Sequence, residues 1–221
     1  MPGQIKEKSE QPVLLFDFGG VLVNLDRSRV EQAFDLLGFN IRPFLGTYKQ
    51  SGVFEQLEQG KITVDGFCEQ LRGLAHNDSL NNEDIIAAWQ SFLTDVPAER
   101  LELLLKIRQH YSVNLLSNTN RVHWSMAESR FFRYKGLTVS HFFDHTFLSC
   151  ELGVEKPAPL IFQKVIEGLK VPANNILFFD DSETNCEAAR NSGMNALLAG
   201  PNSDWFKYFD ENGKLYASYI Q

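Results

Sequence analysis

The sequence predicts an α/β protein: a doubly wound parallel sheet with a small all-helical cap inserted after its first strand. Three observations carry that expectation. Short, nearly continuous apolar runs recur at residues 13–18, 113–117, 146–149 and 176–180, with a weaker fifth at 195–199. Parallel strands covered on both faces read this way, because neither face needs polar residues. Helical periodicities separate the later runs, which is the alternation of a sheet wound with helices. The interval from about Arg27 to Thr94 breaks that alternation, with four helical patterns and no strand.

Taken in order, the first run delivers Asp17 and is followed at once by Gly19 and Gly20. Asp26 is placed to cap the first helix of the insertion, which continues through "VEQAFDLLG", "VFEQLEQG", "TVDGFCEQLRGL" and "EDIIAAWQSFL". Thr63 caps the third of these, with Val64, Phe67 and Leu71 on one face. Behind Pro97, Leu101, Leu104, Leu105 and Ile107 share a helical face, as do Ile161, Phe162, Val165, Ile166 and Leu169 behind Pro159. Ser182 is placed to cap the last helix and Gly193 to end it. The expected division is a catalytic core at 12–25 and 95–221, a cap at 26–94 and a flexible tail at 1–11. An insertion at that point hangs over the carboxyl edge of the sheet, where open α/β sheets bind ligands.

Bulk properties narrow the function. With 43% hydrophobic and 22% charged residues, the chain has the composition of a globular protein rather than a disordered one. A net charge of −7 argues against a nucleic acid or an anionic membrane as partner. The densest basic run, "SRFFRYK", reads as a surface loop. The polar N-terminus carries no apolar leader, and Cys68, Cys150 and Cys186 are scattered as free thiols would be, so a cytoplasmic protein is expected. His123, His141 and His145 show no metal-ligand spacing and read as packing or surface residues. Trp89 and Phe92 read as cap core. Nothing in the sequence speaks to oligomeric state.

Polar residues cluster where the strands stop. The first strand gives Asp17, the second Ser117 and Asn118, the fourth Asp180 and Asp181, and Lys156 follows the third. In a parallel sheet these ends lie along one edge, so the residues converge. Three carboxylates in one crevice repel one another unless a cation is present, and oxygen-only ligands in a hydrated site suit magnesium. Lys156, the Ser117 hydroxyl and the Asn118 amide are donors for a phosphate. Asp17 is then a carboxylate aimed at phosphorus, competent as a nucleophile. Taken singly, Ser117 and Asn118 read as helix caps and Lys156 as a surface residue; only the set favours a site. One of Asp180 and Asp181 is expected to cap the following helix, and Asn185 is placed either to hold the Asp181 loop or to face solvent from that helix.

The motifs "FDFGGVL", "LLSNTN", "EKPAPLIF" and "FFDDSETN" resemble, in order and context, the four motifs of the haloacid dehalogenase-like superfamily. The likeness spans Val13 to Ala199 and implies a Rossmann-like core. Within the superfamily the chain looks most like the sugar-phosphate phosphatase branch that includes α-D-glucose-1-phosphate phosphatase. The resemblance implies Asp17 as nucleophile and magnesium ligand, and the backbone carbonyl of Gly19 and the carboxylate of Asp181 as further ligands. It implies Asp180 as a direct or water-mediated ligand, and Ser117, Asn118 and Lys156 as phosphate-binding residues. A small phosphorylated metabolite is the implied substrate.

One departure stands out. Most phosphatases of the superfamily carry an acidic residue two positions after the nucleophile, and this chain has Gly19. General acid–base assistance is typically worth about 10²–10⁴ in rate. A good leaving group needs it less, and Asp26 is the one nearby substitute, though its capping position competes. Two other readings share the residues: a metal-free 2-haloacid dehalogenase, against which Asp180 and Asp181 argue, and a catalytically idle phosphometabolite-binding module, for which Gly19 argues. Substrate contacts are expected from the cap, with Tyr48, Lys49 and Glu58 as candidates.

Overall fold

The computed structural model describes residues 11–200 and 204–219; residues 1–10 of the expected tail lie outside it. Strands β1 (Val13–Phe16), β2 (Val113–Ser117), β3 (Thr146–Leu148), β4 (Ile176–Asp180) and β5 (Asn195–Leu198) form one sheet. Their order is β3-β2-β1-β4-β5, with every pairing parallel. Side chains alternate across the central strand. Leu14 and Phe16 enter one apolar cluster with Val113, Leu115, Leu177 and Phe179, while Leu15 enters another with Leu116, Ile176 and Phe178. Both faces are buried, and this is why the strands read as unbroken apolar runs.

The winding fixes where chemistry can occur. From β1 the chain moves outward to β2 and β3, then crosses to β4 on the opposite side of β1. The switch point therefore lies between the carboxyl ends of β1 and β4. There the Asp17 amide donates to the Phe179 carbonyl at 2.8 Å.

Four helices follow β1: α1 (Arg27–Leu36), α2 (Gly52–Glu58), α3 (Val64–Ala75) and α4 (Asn82–Gln90). Asp26, Thr63 and Asn81 cap α1, α3 and α4, accepting from Arg29, Gly66 and Asp84 amides. Their apolar faces meet in a cluster of their own that includes Val30, Phe34, Phe67, Leu71, Ile85 and Trp89. Phe54 sits at its centre, with ring centroids 5.8 Å from Phe34, 5.2 Å from Phe67 and 4.8 Å from Trp89. The segments that enter and leave this unit are tied together: Asn24 donates to Asp95, Thr94 to Asn24 and Asp26 to Phe92, each at 2.9 Å. A second tie lies across the sheet edge, where the Ser149 hydroxyl is 2.6 Å from the Glu58 carbonyl.

The remaining helices, α5 (Ala98–Ile107), α6 (Arg121–Met126), α7 (Val139–Phe142), α8 (Ser149–Leu152), α9 (Pro159–Leu169) and α10 (Glu183–Asn191), follow among the later strands. Two expectations change here. The run "SRFFRYK" is not a surface loop: it begins inside a π-helical turn, Ala127–Phe131, that extends α6. Phe132 is fully buried against Phe18, Trp124 and Phe142, so aromatic burial rather than basic charge decides its place. The cap of α10 is Ser182 alone, which accepts from the Asn185 amide, rather than either preceding aspartate.

Because Phe54 joins most of the rings of the helical cluster, truncating it leaves a cavity that several helices line. Phe54→Ala is expected to lower unfolding stability by about 3–5 kcal/mol, the usual cost of deleting a buried phenyl ring. Urea titration followed by tryptophan fluorescence checks this. A loss below about 1 kcal/mol would show that the cluster repacks freely.

Candidate active site

Four charged side chains meet at the switch point. The Lys156 ammonium donates to Asp17 Oδ1 and to Asp180 Oδ2, both at 2.6 Å, and lies 3.3 Å from the Leu116 carbonyl. It is 2% exposed, so none of this is a surface ion pair. Asp180 is fully buried; its second oxygen accepts from the Ser182 amide at 2.9 Å and the Asn185 side chain at 3.0 Å. Asn185 thus holds Asp180 rather than Asp181, and it is buried rather than facing solvent. Asn118 fixes the lysine's backbone from both sides, accepting from the Lys156 amide at 2.8 Å and donating to its carbonyl at 2.9 Å. The four predicted side chains Asp17, Ser117, Asn118 and Lys156 all line one pocket, together with Gly19 and Asp181.

The loop after β1 is held from behind. Arg100 donates to the Leu22 carbonyl at 2.9 Å and the Trp205 indole to the Val21 carbonyl at 3.1 Å. Gly20 has φ +77°, and a Cβ there would lie 2.3 Å from Asp181 Oδ2. Only glycine permits that approach. Gly19 is different: a Cβ would meet nothing closer than Leu25 Cδ1 at 3.5 Å, an ordinary contact.

The donor set fits a hard divalent cation. Asp17, Asp180 and Asp181 each present an oxygen within 4.8 Å of the others. One ammonium against three carboxylates leaves two negative charges uncompensated, and the cluster shows the strain. Burial pushes the Asp17 carboxyl up to about 8, with Asp180 and Asp181 adding to the rise and Lys156 opposing it. Burial and Asp180 raise Asp181 to about 6. Burial works against the Lys156 ammonium, but Asp17 and Asp180 outweigh it and raise its pKa. All ligands are oxygen, which suits magnesium over softer metals.

Over the pocket, the helical insertion contributes Thr47, Tyr48, Gln50, Glu58 and Phe92, and Leu25 lines it just before the insertion begins. Of the residues expected to reach substrate, Tyr48 and Glu58 are among them. Lys49 is not; it pairs with Glu55 at 2.7 Å and Glu155 at 3.6 Å. Glu58 is 5% exposed, and burial followed by Glu155 holds its carboxyl well above the usual range. Asp26 stays in its capping role, with the Ser28 hydroxyl and Arg29 amide holding its carboxyl below the usual range, which removes it as a substitute acid. His123 is buried and lines the pocket; burial lowers its pKa to about 4, and Nε2 lies 2.9 Å from the Trp89 carbonyl. Gln50 and Thr47 carried no signal in the sequence, because nothing but the local turn decides which way a cap loop points its side chains.

Comparison with known proteins bears on the same residues. The chain is 37% identical over 193 residues to a D-ribitol-5-phosphate phosphatase of Bacteroides thetaiotaomicron, covering 87% of this chain and 93% of that protein. A crystal structure of a haloacid dehalogenase family enzyme from the same organism, in complex with magnesium and inorganic phosphate, aligns with a TM-score of 0.87. It is 39% identical and covers 91% of this chain and 100% of the other. A haloacid dehalogenase-like hydrolase from Porphyromonas gingivalis aligns with a TM-score of 0.82 at 29% identity, covering 89% and 95%. These relatives do not single out the glucose-1-phosphate branch. The family model of haloacid dehalogenase-like hydrolases matches residues 12–193, which takes in every residue that lines the pocket. With sheet order, strand-end residues and profile in agreement, the chain belongs to the haloacid dehalogenase-like hydrolases.

Proposed function

We propose that this protein is a magnesium-dependent phosphatase that hydrolyses a small sugar-type phosphate through an aspartyl-phosphate on Asp17. The observation that carries the reading is the cluster of Asp17, Asp180 and Asp181 oxygens within 4.8 Å of one another, with Lys156 bridging the first two. The activity of the Bacteroides phosphatase and the magnesium and phosphate held in the similar Bacteroides crystal structure support it. In this reading residues 26–94 cap a core of 12–25 and 95–221. The three unpaired cysteines support a cytoplasmic setting, and among the described residues no helix is long and apolar enough to cross a membrane.

Magnesium, held by Asp17, Asp181, the Gly19 carbonyl and directly or through water by Asp180, would supply charge neutralisation for the phosphate dianion. The chain's own residues do the rest. Lys156 orients one Asp17 oxygen at 2.6 Å, leaving the other to attack phosphorus as the bond to the leaving alcohol oxygen breaks. Ser117 and the Asn118 amide donate to the phosphoryl oxygens, whose charge shifts as the group transfers. Water then cleaves the acyl phosphate, returning the Asp17 carboxylate and inorganic phosphate. A dehalogenase reading has no use for the Asp180 and Asp181 charges beside a substrate carboxylate.

Phosphate release from a panel of sugar and polyol phosphates tests the reading. Turnover is expected with magnesium, is lost on chelation with EDTA, and falls by at least 10³ in Asp17→Asn, which removes the nucleophile. Chloride release from chloroacetate without phosphate release would overturn it.

Stability against pH checks the electrostatics. Asp17 ionises near 3.8 when unfolded and at about 8 in the folded, metal-free chain. Between those values the folded state holds the extra proton, so stability falls as pH rises through that window. The depressed His123 has the opposite sign, but it opposes the fall by at most about half a proton at pH 6.5 and fades by about pH 7.5. The melting temperature in EDTA is therefore expected to drop between about pH 6.5 and 8, and magnesium to restore more at pH 8 than at 6.5. Scanning calorimetry at both pH values measures this, and a larger magnesium effect at the lower pH would contradict it.

A further inference from the structure

Three buried side-chain polar atoms among the described residues have no hydrogen-bond partner: Gln50 Oε1, Trp89 Nε1 and Glu155 Oε1. Only one belongs to a residue that lines the active-site pocket, and that residue is Gln50. It is 7% exposed, so water in bulk does not satisfy it. A buried polar group left unpaired typically costs about 1–3 kcal/mol. Such a group is retained where something else pairs with it.

The backbone around Gln50 explains why it points inward and stays there. Gln50 pairs with Leu45 in a short antiparallel bridge, and the Ser51 amide donates to the Phe44 carbonyl at 2.9 Å. The intervening turn is tight: a Cβ on Gly46 would lie 2.1 Å from the Lys49 carbonyl oxygen. Successive residues leave this turn in different directions. Lys49 pairs outward with Glu55, whereas Gln50 goes into the pocket at the foot of α2, whose last residue Glu58 lines the same wall. The Gln50 head group is thus presented by a tight, hydrogen-bonded turn.

We propose that Gln50 is a specificity-determining residue that hydrogen-bonds a hydroxyl of the substrate's carbon chain, so that the pocket selects polyhydroxylated phosphates over plain alkyl phosphates. The inference rests on the phosphatase reading above and adds to it what the cap recognises. A hydroxyl suits the site because it both donates and accepts, and so pairs with a primary amide in either orientation of its oxygen and nitrogen. A substrate lacking that hydroxyl leaves the amide unpaired in the complex, and sites built this way discriminate more strongly than apolar pockets do. Selection against the plain chain therefore comes from an unmet hydrogen bond rather than from a clash.

The test compares wild type with Gln50→Leu on two substrates, D-ribitol 5-phosphate and butyl phosphate, by steady-state phosphate release, and compares the melting temperatures of the two proteins. The ratio of kcat/KM for the polyol phosphate over butyl phosphate is expected to fall about tenfold or more in Gln50→Leu. The melting temperature is expected to stay level or rise, because a buried carbonyl oxygen without a partner gives way to an apolar group of similar size. An unchanged ratio overturns the proposal. So does a parallel fall on both substrates with a lower melting temperature, which would make Gln50 a structural residue. If the wild type hydrolyses butyl phosphate at least as well as the polyol phosphate, the phosphatase reading stands and the inference falls. If it hydrolyses no phosphate monoester, both fall.

Discussion

The buried ammonium of Lys156 is the interaction on which the rest of the site depends. It reaches Asp17 at the end of β1 and Asp180 at the end of β4 at the same 2.6 Å, while its own backbone is locked to Asn118 after β2. One side chain thus ties together the polar ends of three strand-derived segments. A lysine this deep is costly unless its charge is met, and here two carboxylates meet it. The converse also holds: Asp17 and Asp180 tolerate burial in part because of Lys156. What the lysine cannot do is balance Asp181 as well, and the upward shifts of Asp17 and Asp181 record that deficit. A divalent cation completes the balance, so folding, charge and cofactor demand are one problem at this point in the sheet.

The helical unit is attached to this centre at two places, and each constrains the pocket. Backbone bonds between 24–26 and 92–95 keep its entry and exit together, which brings Leu25 and Phe92 to the pocket wall. On the other side, Ser149 contacts the Glu58 carbonyl, and Gly60 approaches Cys150 so closely that a Cβ would lie 2.1 Å from its carbonyl oxygen. Gln59 reaches Glu155, the residue before Lys156, at 2.6 Å. The wall that carries Gln50 and Glu58 is therefore positioned relative to the Lys156 cluster by direct contacts, not by a loose tether.

How much of this was legible in the sequence follows from which forces write a pattern into it. Double-sided burial leaves continuous apolar runs, so all five strands were visible, with β2 and β4 matching their expected bounds. Strand ends in a parallel sheet share one edge, so Asp17, Ser117, Lys156 and Asp180 could be grouped before any geometry was known. Helix caps have local chemistry, and Asp26, Thr63 and Ser182 all cap where expected. Cap-loop contacts have no such signature. Tyr48, Lys49 and Gln50 are consecutive, yet Lys49 turns to Glu55 while its two neighbours line the pocket. A turn closed by Gly46 decides that, and composition does not encode it. The same limit applies to "SRFFRYK", expected as a surface loop, where the buried phenyl rings prevailed.

The two glycines after Asp17 look alike in sequence and are physically different. Gly20 is required, since its positive φ and its closeness to Asp181 exclude any side chain. At Gly19 a Cβ is accommodated, with Leu25 at ordinary contact distance. The absence of an acid there is therefore not forced by packing. A site without that proton donor gives up an effect commonly worth about 10²–10⁴ and must rely more heavily on charge neutralisation and placement of the leaving group. In the proposed mechanism, charge is handled by the Lys156 cluster and its cation, and placement falls to the helical unit. That division gives the cap wall a share in the rate as well as in selection, because an oxygen held in line with Asp17 and phosphorus departs more readily than one free to turn.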